Sequence, residues 1–192
     1  MKETRATYFC VDLESSGPVP GIYDMISFGG VAVAPDAEGK LHLLDEQVYV
    51  ELAPTSDRFV PEAMEVNGLD FKRLKREGLN RAEAMRRLTD WARALTVPGT
   101  EAVFVGHNAP FDWSFISYCY VAEGMANPFG YKALDTKALA GGVLGIHWLD
   151  TGKDVLAQRL GLPPEDMTQK HRADYDAYYQ ALVLKALLEY QA

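Results

Sequence analysis

Residues 8–14 read Tyr-Phe-Cys-Val-Asp-Leu-Glu, an aromatic and β-branched run that closes on two acids. Such a composition predicts a strand, central to whatever sheet the chain forms. On a strand, side chains two apart leave the same face, so Asp12 and Glu14 point together. Two carboxylates aimed alike from an otherwise apolar strand repel one another, and are tolerated when a cation or a proton neutralises them. If the strand instead stops at Asp12, both acids are ordinary solvated loop residues.

Working outward, residues 26–33 and 47–52 continue with strand-like runs separated by Gly, Pro and Asp turns. Three early strands follow, read as an antiparallel meander. The period changes at Asn80, where Glu83 stands three residues after a good N-cap residue and a helix is predicted to about Leu95. Residues 101–105 read as a short buried strand, and 106–110 as a loop into a helix ending near Gly124. Residues 134–139, 153–160 and 172–190 look helical, the last being the longest. Strands first and helices mostly later, with one strand returning between helices, predict an α/β fold: a mixed sheet covered by helices.

The bulk composition bounds the function. A chain of 192 residues with 48% hydrophobic content fits one compact domain, residues 1–192. No run approaches the roughly 20 apolar residues of a membrane span, so a soluble, cytoplasmic protein with no membrane partner is expected. Two cysteines, Cys10 and Cys119, are too few for a disulfide framework or a thiolate zinc site and are read as reduced thiols. The net charge of −8 argues against coating long duplexes through many phosphate contacts. It does not exclude nucleic acid, because carboxylates collected to bind divalent cations are themselves a source of negative charge. Short or end-bound substrates are favoured.

Two further stretches carry candidate chemistry. Residues 106–112, Gly-His-Asn-Ala-Pro-Phe-Asp, lie where a strand hands over to a helix. Pro110 suits the first helical turn, and Asp112 then falls where the helix dipole favours a negative charge. An Asp so placed can be stabilising only, with His107 and Asn108 closing the loop by hydrogen bonds. Residues 171–176, His-Arg-Ala-Asp-Tyr-Asp, open the last helix. At ~100° per residue Asp176 shares a face with Ala173, Gln180, Val183, Leu184 and Leu187, whereas Asp174 projects toward water. Asp176 is therefore expected to face the body of the protein, where it needs a partner; a buried Asp bonded to neighbouring backbone is the alternative.

Asp-x-Glu on the first strand, His-Asn-x-x-Phe-Asp in the middle and His-x-Ala-x-x-Asp near the end together resemble the DEDDh 3′-to-5′ exonucleases, over most of the chain. Asp135-Thr136 and residues 156–162 are similar to the family's stretch before its last motif. The resemblance implies a ribonuclease H-like sheet of five strands, the first three antiparallel, flanked by helices. It implies hydrolysis of phosphodiester bonds at the 3′ ends of single-stranded or short DNA or RNA, releasing nucleoside 5′-monophosphates with two Mg²⁺ or Mn²⁺ ions. Asp12 would bridge the ions, Glu14 and Asp176 would complete the site around one, Asp112 would help hold the other, and His171 would be the general base. Hard cations prefer these oxygen ligands.

Expected substrate contacts are Leu13, Ser15, Met64, Asn108 and Phe111, with Tyr23, Met25 and Val66, from their places after the first motif and before Asn67-Gly68, as further candidates beside Met64 for a wall around the terminal base; Phe111 resembles the family's motif aromatic, but at the start of an apolar helix a core position is the equal alternative. Many relatives carry Thr and then Thr or Ala after the first Glu, whereas Ser15, Ser16 and Gly17 stand here. Lys72, Arg73, Lys75 and Arg76 read as a solvated basic face, and Lys170 and Arg172 as better placed for phosphate. A homodimer is a further implication. Competing readings are a metal-dependent phosphatase or nucleotidase acting on small nucleotides, and a polymerase-associated proofreading or nucleic-acid-binding module; the full set of acids and histidine argues against a module that has lost catalysis.

Overall fold

Strand β1 (Ala6–Ser15) divides its side chains between two packed layers. Phe9, Val11 and Leu13 enter one apolar cluster, while Tyr8 and Cys10 enter another, and Asp12 and Glu14 share the parity of this second set. The computed structural model describes residues 5–190. After β1 come β2 (Met25–Pro35), β3 (Leu41–Leu43) and β4 (Val48–Glu51), then helices α1 (Pro61–Asn67), α2 (Phe71–Glu77) and α3 (Arg81–Leu95). Strand β5 (Glu101–Gly106), α4 (Ala109–Ala122), β6 (Ala133–Asp135), α5 (Thr136–Leu144), α6 (Lys153–Leu160) and α7 (Ala173–Glu189) complete the order.

The sheet runs β3-β2-β1-β5-β6, with β4 also on β2. Strand β1 is central, antiparallel to β2 and parallel to β5, so the sheet is mixed as expected. It has six strands rather than five. The third strand of the meander is split: β3 pairs with Val33–Pro35 of β2 and β4 with Ser27–Gly30. Between the pieces Asp45 and Glu46 are exposed and break the alternation. Strand β6 stands where a helix was expected to begin, because Asp135 caps α5 by accepting from the Lys137 amide and so fixes the helix start after it. Helices α1 and α2 were not legible, since two-turn helices on the surface carry too little periodicity. Helix α3 starts as read, with the Asn80 side chain accepting from the Glu83 amide.

Helices cover both faces. Met85, Leu88 and Trp91 of α3 with Phe115 and Ile116 of α4 pack on the Phe9–Val11–Leu13 side. On the other side Ala177, Ala181 and Leu184 of α7 meet Cys10, Val31 and Val105, and α5 and α6 pack against the outer side of α7. Both cysteines are buried free thiols. Among the described residues no helix is long and apolar enough to cross a membrane.

Two glycines bring the acidic positions together. Strand β1 pairs with β5 only as far as Cys10, so Asp12 and Glu14 run past the end of the parallel ladder, the usual position of a ligand crevice. Gly106 lets the chain turn into α4 there, since a Cβ on it would lie 2.6 Å from the Ala109 Cα. Gly29 pairs with Asp12 across the ladder, and a Cβ on it would lie 2.3 Å from the Asp174 amide nitrogen. The first turn of α7 thus rests directly on β2. Gly29→Ala forces backbone apart at this seat, and we expect a loss of about 1–3 kcal/mol, as for other overpacked sites, read as a lower urea midpoint. An unchanged midpoint would show that α7 is not seated on this glycine.

Candidate active site

At the end of the parallel strands a cleft of about 640 Å³ is lined by Asp12 and Glu14 of β1, Asp112 of α4 and Asp176 of α7. The four acids of the sequence reading therefore meet, coming from both layers. Asp112 reaches across the strand end, its Oδ1 accepting from the Leu13 amide at 3.3 Å. Asp176 is buried, with Oδ2 accepting from the His171 amide and Oδ1 from Lys153 Nζ, both at 2.7 Å. Ligand-type atoms of Glu14, His171 and Asp176 lie within 4.8 Å of one another. Asp174 differs from expectation: it is half-buried, one oxygen pairs with Arg172 and the other is enclosed without a hydrogen-bond partner among the described residues, because the start of α7 sits so close on β2.

The supports are specific. Gln180, one turn beyond Asp176, donates to the Val105 carbonyl at 2.7 Å and accepts from the His107 amide at 3.1 Å, tying α7 to the end of β5. Asp135 Oδ1 accepts from the Asn108, Ala109 and Lys137 amides and so holds the loop that delivers Asp112. Asn108 adopts a left-handed conformation at φ 73°, which Asn tolerates; His171 does so at φ 65°, which is strained and turns its amide toward Asp176.

Charge in the cleft is incompletely compensated. Burial, with Asp176 and Glu165 adding repulsion against the pull of Lys153, pushes the Asp12 carboxyl up to about 7. Burial and then the Asp12 and Asp176 carboxylates push Glu14 up to about 9, and burial and Asp12 hold Asp112 well above the usual carboxylate range. Oxygen donors crowded in this way suit a hard divalent ion. Of the two histidines lining the cleft, His107 is half-buried, bonded through Nδ1 to Thr136 at 2.9 Å, and pushed down to about 4 by burial and nearby lysines. His171 is exposed at the mouth.

Two participants escaped the sequence reading. Lys153 opens α6 with its side chain only 14% exposed, and Glu165, at 8%, lies 3.7 Å from its ammonium. The one local signal was a lysine at the first residue of a helix, where the dipole disfavours a cation.

The expected substrate contacts are dispersed. Leu13 and Phe111 line both the cleft and an adjoining recess of about 310 Å³ that also carries Ser15, Ala63 and Val66. Asn108 lines only the cleft, and Met64 lies on α1 outside the lining of both cavities. The Ser15 hydroxyl donates to the Gly17 carbonyl within the turn after Glu14, and that of Ser16 fastens this turn to the Arg58 carbonyl. Tyr23 and Met25 line a separate small recess. Lys170 lines the cleft, whereas Arg172 is paired with Asp174. In the basic cluster Arg73 makes two bonds to Glu51 and Lys75 pairs with Asp57.

No protein-family model matches the chain. It is 37% identical over 188 residues to the 3′-5′ DNA exonuclease Cap18 of Escherichia coli, covering 97% of this chain and 94% of that protein. It is 30% identical over 176 residues to ribonuclease T of Yersinia pestis, covering 89% of this chain and 79% of the relative. Among solved structures it resembles the nuclease domain of 3′hExo, a DEDDh family member bound to rAMP, with a TM-score of 0.75, 12% identity, and 96% and 91% of the two chains covered. That likeness establishes the ribonuclease H-like fold.

A stability profile follows from the raised carboxyls. Asp12 and Glu14 are held above their ordinary values in the fold, so their protonated forms favour folding; this contribution is complete near pH 4 and is lost as pH rises through about 7 and 9. In chelator the melting temperature should fall between pH 5 and 9, and added Mn²⁺ should raise it most at the alkaline end. A chelator profile flat over this range would contradict the crowding of these carboxylates.

Proposed function

The chain belongs to the DEDDh 3′-to-5′ exonucleases, hydrolases of phosphodiester bonds, and we propose that it removes nucleotides from the 3′ ends of single-stranded or short DNA or RNA as nucleoside 5′-monophosphates. The observation that carries this reading is the convergence of Asp12, Glu14, Asp112 and Asp176 on one cleft with His171 at its mouth. Asp12, Glu14 and Asp176 would hold divalent cations, with Asp112 assisting from α4. Two Mg²⁺ or Mn²⁺ ions, when bound, supply positive charge for the phosphorane-like transition state and make water a stronger nucleophile.

The chain's own residues supply the rest. An imidazole nitrogen of His171, beside Glu14 and Asp176, takes the proton from the attacking water. His107 suits this role less, because its ring is bonded to Thr136 and held down near about 4. Lys170 lines the cleft and would offer its ammonium to a substrate phosphate. Leu13 and Phe111, which line both the cleft and the neighbouring apolar recess, would grip the terminal base, with Asn108 as a further contact from the cleft. Since the Ser15 hydroxyl is engaged by Gly17, any contact from Ser15 would come through its backbone. The homodimer that the resemblance implies is read directly by sedimentation equilibrium.

With 5′-labelled DNA and RNA oligonucleotides, Mg²⁺ or Mn²⁺ should give a descending ladder that chelator abolishes. Release of inorganic phosphate without shortening would overturn the reading in favour of a phosphatase. His171→Ala should cut turnover by about 10²–10⁴-fold while Mn²⁺ affinity is kept. Asp12→Asn should lose both turnover and Mn²⁺ affinity; near-normal hydrolysis by either variant across neutral pH would remove that residue from its role.

A further inference from the structure

Both carboxylate oxygens of Asp176 are already engaged within the chain, Oδ2 by the His171 amide and Oδ1 by the Lys153 ammonium. A cation approaching this carboxylate therefore meets Lys153 on Oδ1. The ammonium also neighbours a second acid that no cleft function uses. The Glu165 side chain is only 8% exposed; its Oε1 is enclosed, has no hydrogen-bond partner among the described residues, and lies 3.7 Å from Lys153 Nζ. An enclosed carboxylate oxygen left unbonded is costly, and one within a small side-chain rotation of an ammonium is a vacant acceptor for it.

We propose that Lys153 is a positioning residue that serves as the resident counter-cation of the acid cluster, bonded to Asp176 when no divalent ion is bound and transferred to Glu165 when one is. The inference rests on the reading of the acids as a cation site. It accounts for a lysine at the dipole-disfavoured end of α6 and for the enclosed Glu165 carboxylate in the cleft. A positive charge fixed on Asp176 opposes ion uptake, whereas the same charge withdrawn to Glu165 leaves Asp176 open and remains near enough to limit repulsion among the acids.

The test is a cycle of Mn²⁺ affinities, measured by calorimetry on the full chain with Lys153→Met, Glu165→Gln and the double variant. Lys153→Met should tighten Mn²⁺ binding about tenfold and lower the melting temperature in chelator, as expected for removing one charge from a partly buried site. Glu165→Gln should weaken binding about tenfold without lowering that melting temperature. In the Lys153→Met background, however, Glu165→Gln should be nearly silent, because Glu165 acts through the lysine. Equal weakening in both backgrounds would mean that Glu165 attracts the ion by charge alone and would overturn the transfer; so would unchanged or weaker binding by Lys153→Met. Lys153→Gln replaces the methionine variant if that chain does not fold. Absence of Mn²⁺ uptake by the unmodified chain would overturn the cation-site reading itself, whereas normal uptake with no divergence among the variants would overturn only the role of Lys153.

Discussion

Carboxylates crowded into a half-buried cleft repel one another, at about 4 kcal/mol for unit charges 4 Å apart in surroundings of intermediate polarity. Much of the scaffold around this cleft resists that repulsion. Asp12 and Glu14 are fixed by their strand's pairing with β2, Asp112 is drawn to the Leu13 amide, and Asp176 is held by two bonds at once. Gln180 fastens α7 to the end of β5, and Gly29 lets that helix lie directly on the sheet. Each of these contacts acts on the backbone that presents an acid or on the acid itself. The raised Asp12 and Glu14 carboxyls are the residual strain, which a divalent cation relieves.

What could be read from the sequence was what depends on local period. Strand alternation put Asp12 and Glu14 on one face because two residues suffice to show it, and the long, regular α7 allowed a helical wheel to select Asp176. The same wheel misjudged Asp174. Its setting depends on Gly29, far away in the chain, which draws the first turn of α7 onto β2 and half-buries both sides of that turn. Strands of three residues and helices of seven left no periodic trace. Lys153 and Glu165 were hidden for another reason: their partners lie on other segments, and an isolated lysine or glutamate in a sequence looks like surface.

The departure from the family pattern after Glu14 also acquires a physical account. The Ser15 hydroxyl closes a tight turn onto Gly17, that of Ser16 ties the turn to the Arg58 carbonyl, and Gly17 is required because a Cβ there would lie 2.4 Å from the Tyr23 ring. This side of the cleft is therefore shaped by a self-bonded turn. Under the proposed function, the apolar recess beside Leu13 and Phe111, lined by α1, would be the surface left to sense the terminal base.

Anomalous diffraction at the manganese edge, from crystals grown with Mn²⁺ and a nucleoside 5′-monophosphate, addresses the central claim most directly. The account predicts a manganese peak bounded by Asp12, Glu14 and Asp176, with the nucleotide's phosphate against it and its base beside Leu13 and Phe111. Manganese elsewhere on the protein, or a nucleotide ordered in this cleft with no manganese among the acids, would contradict it.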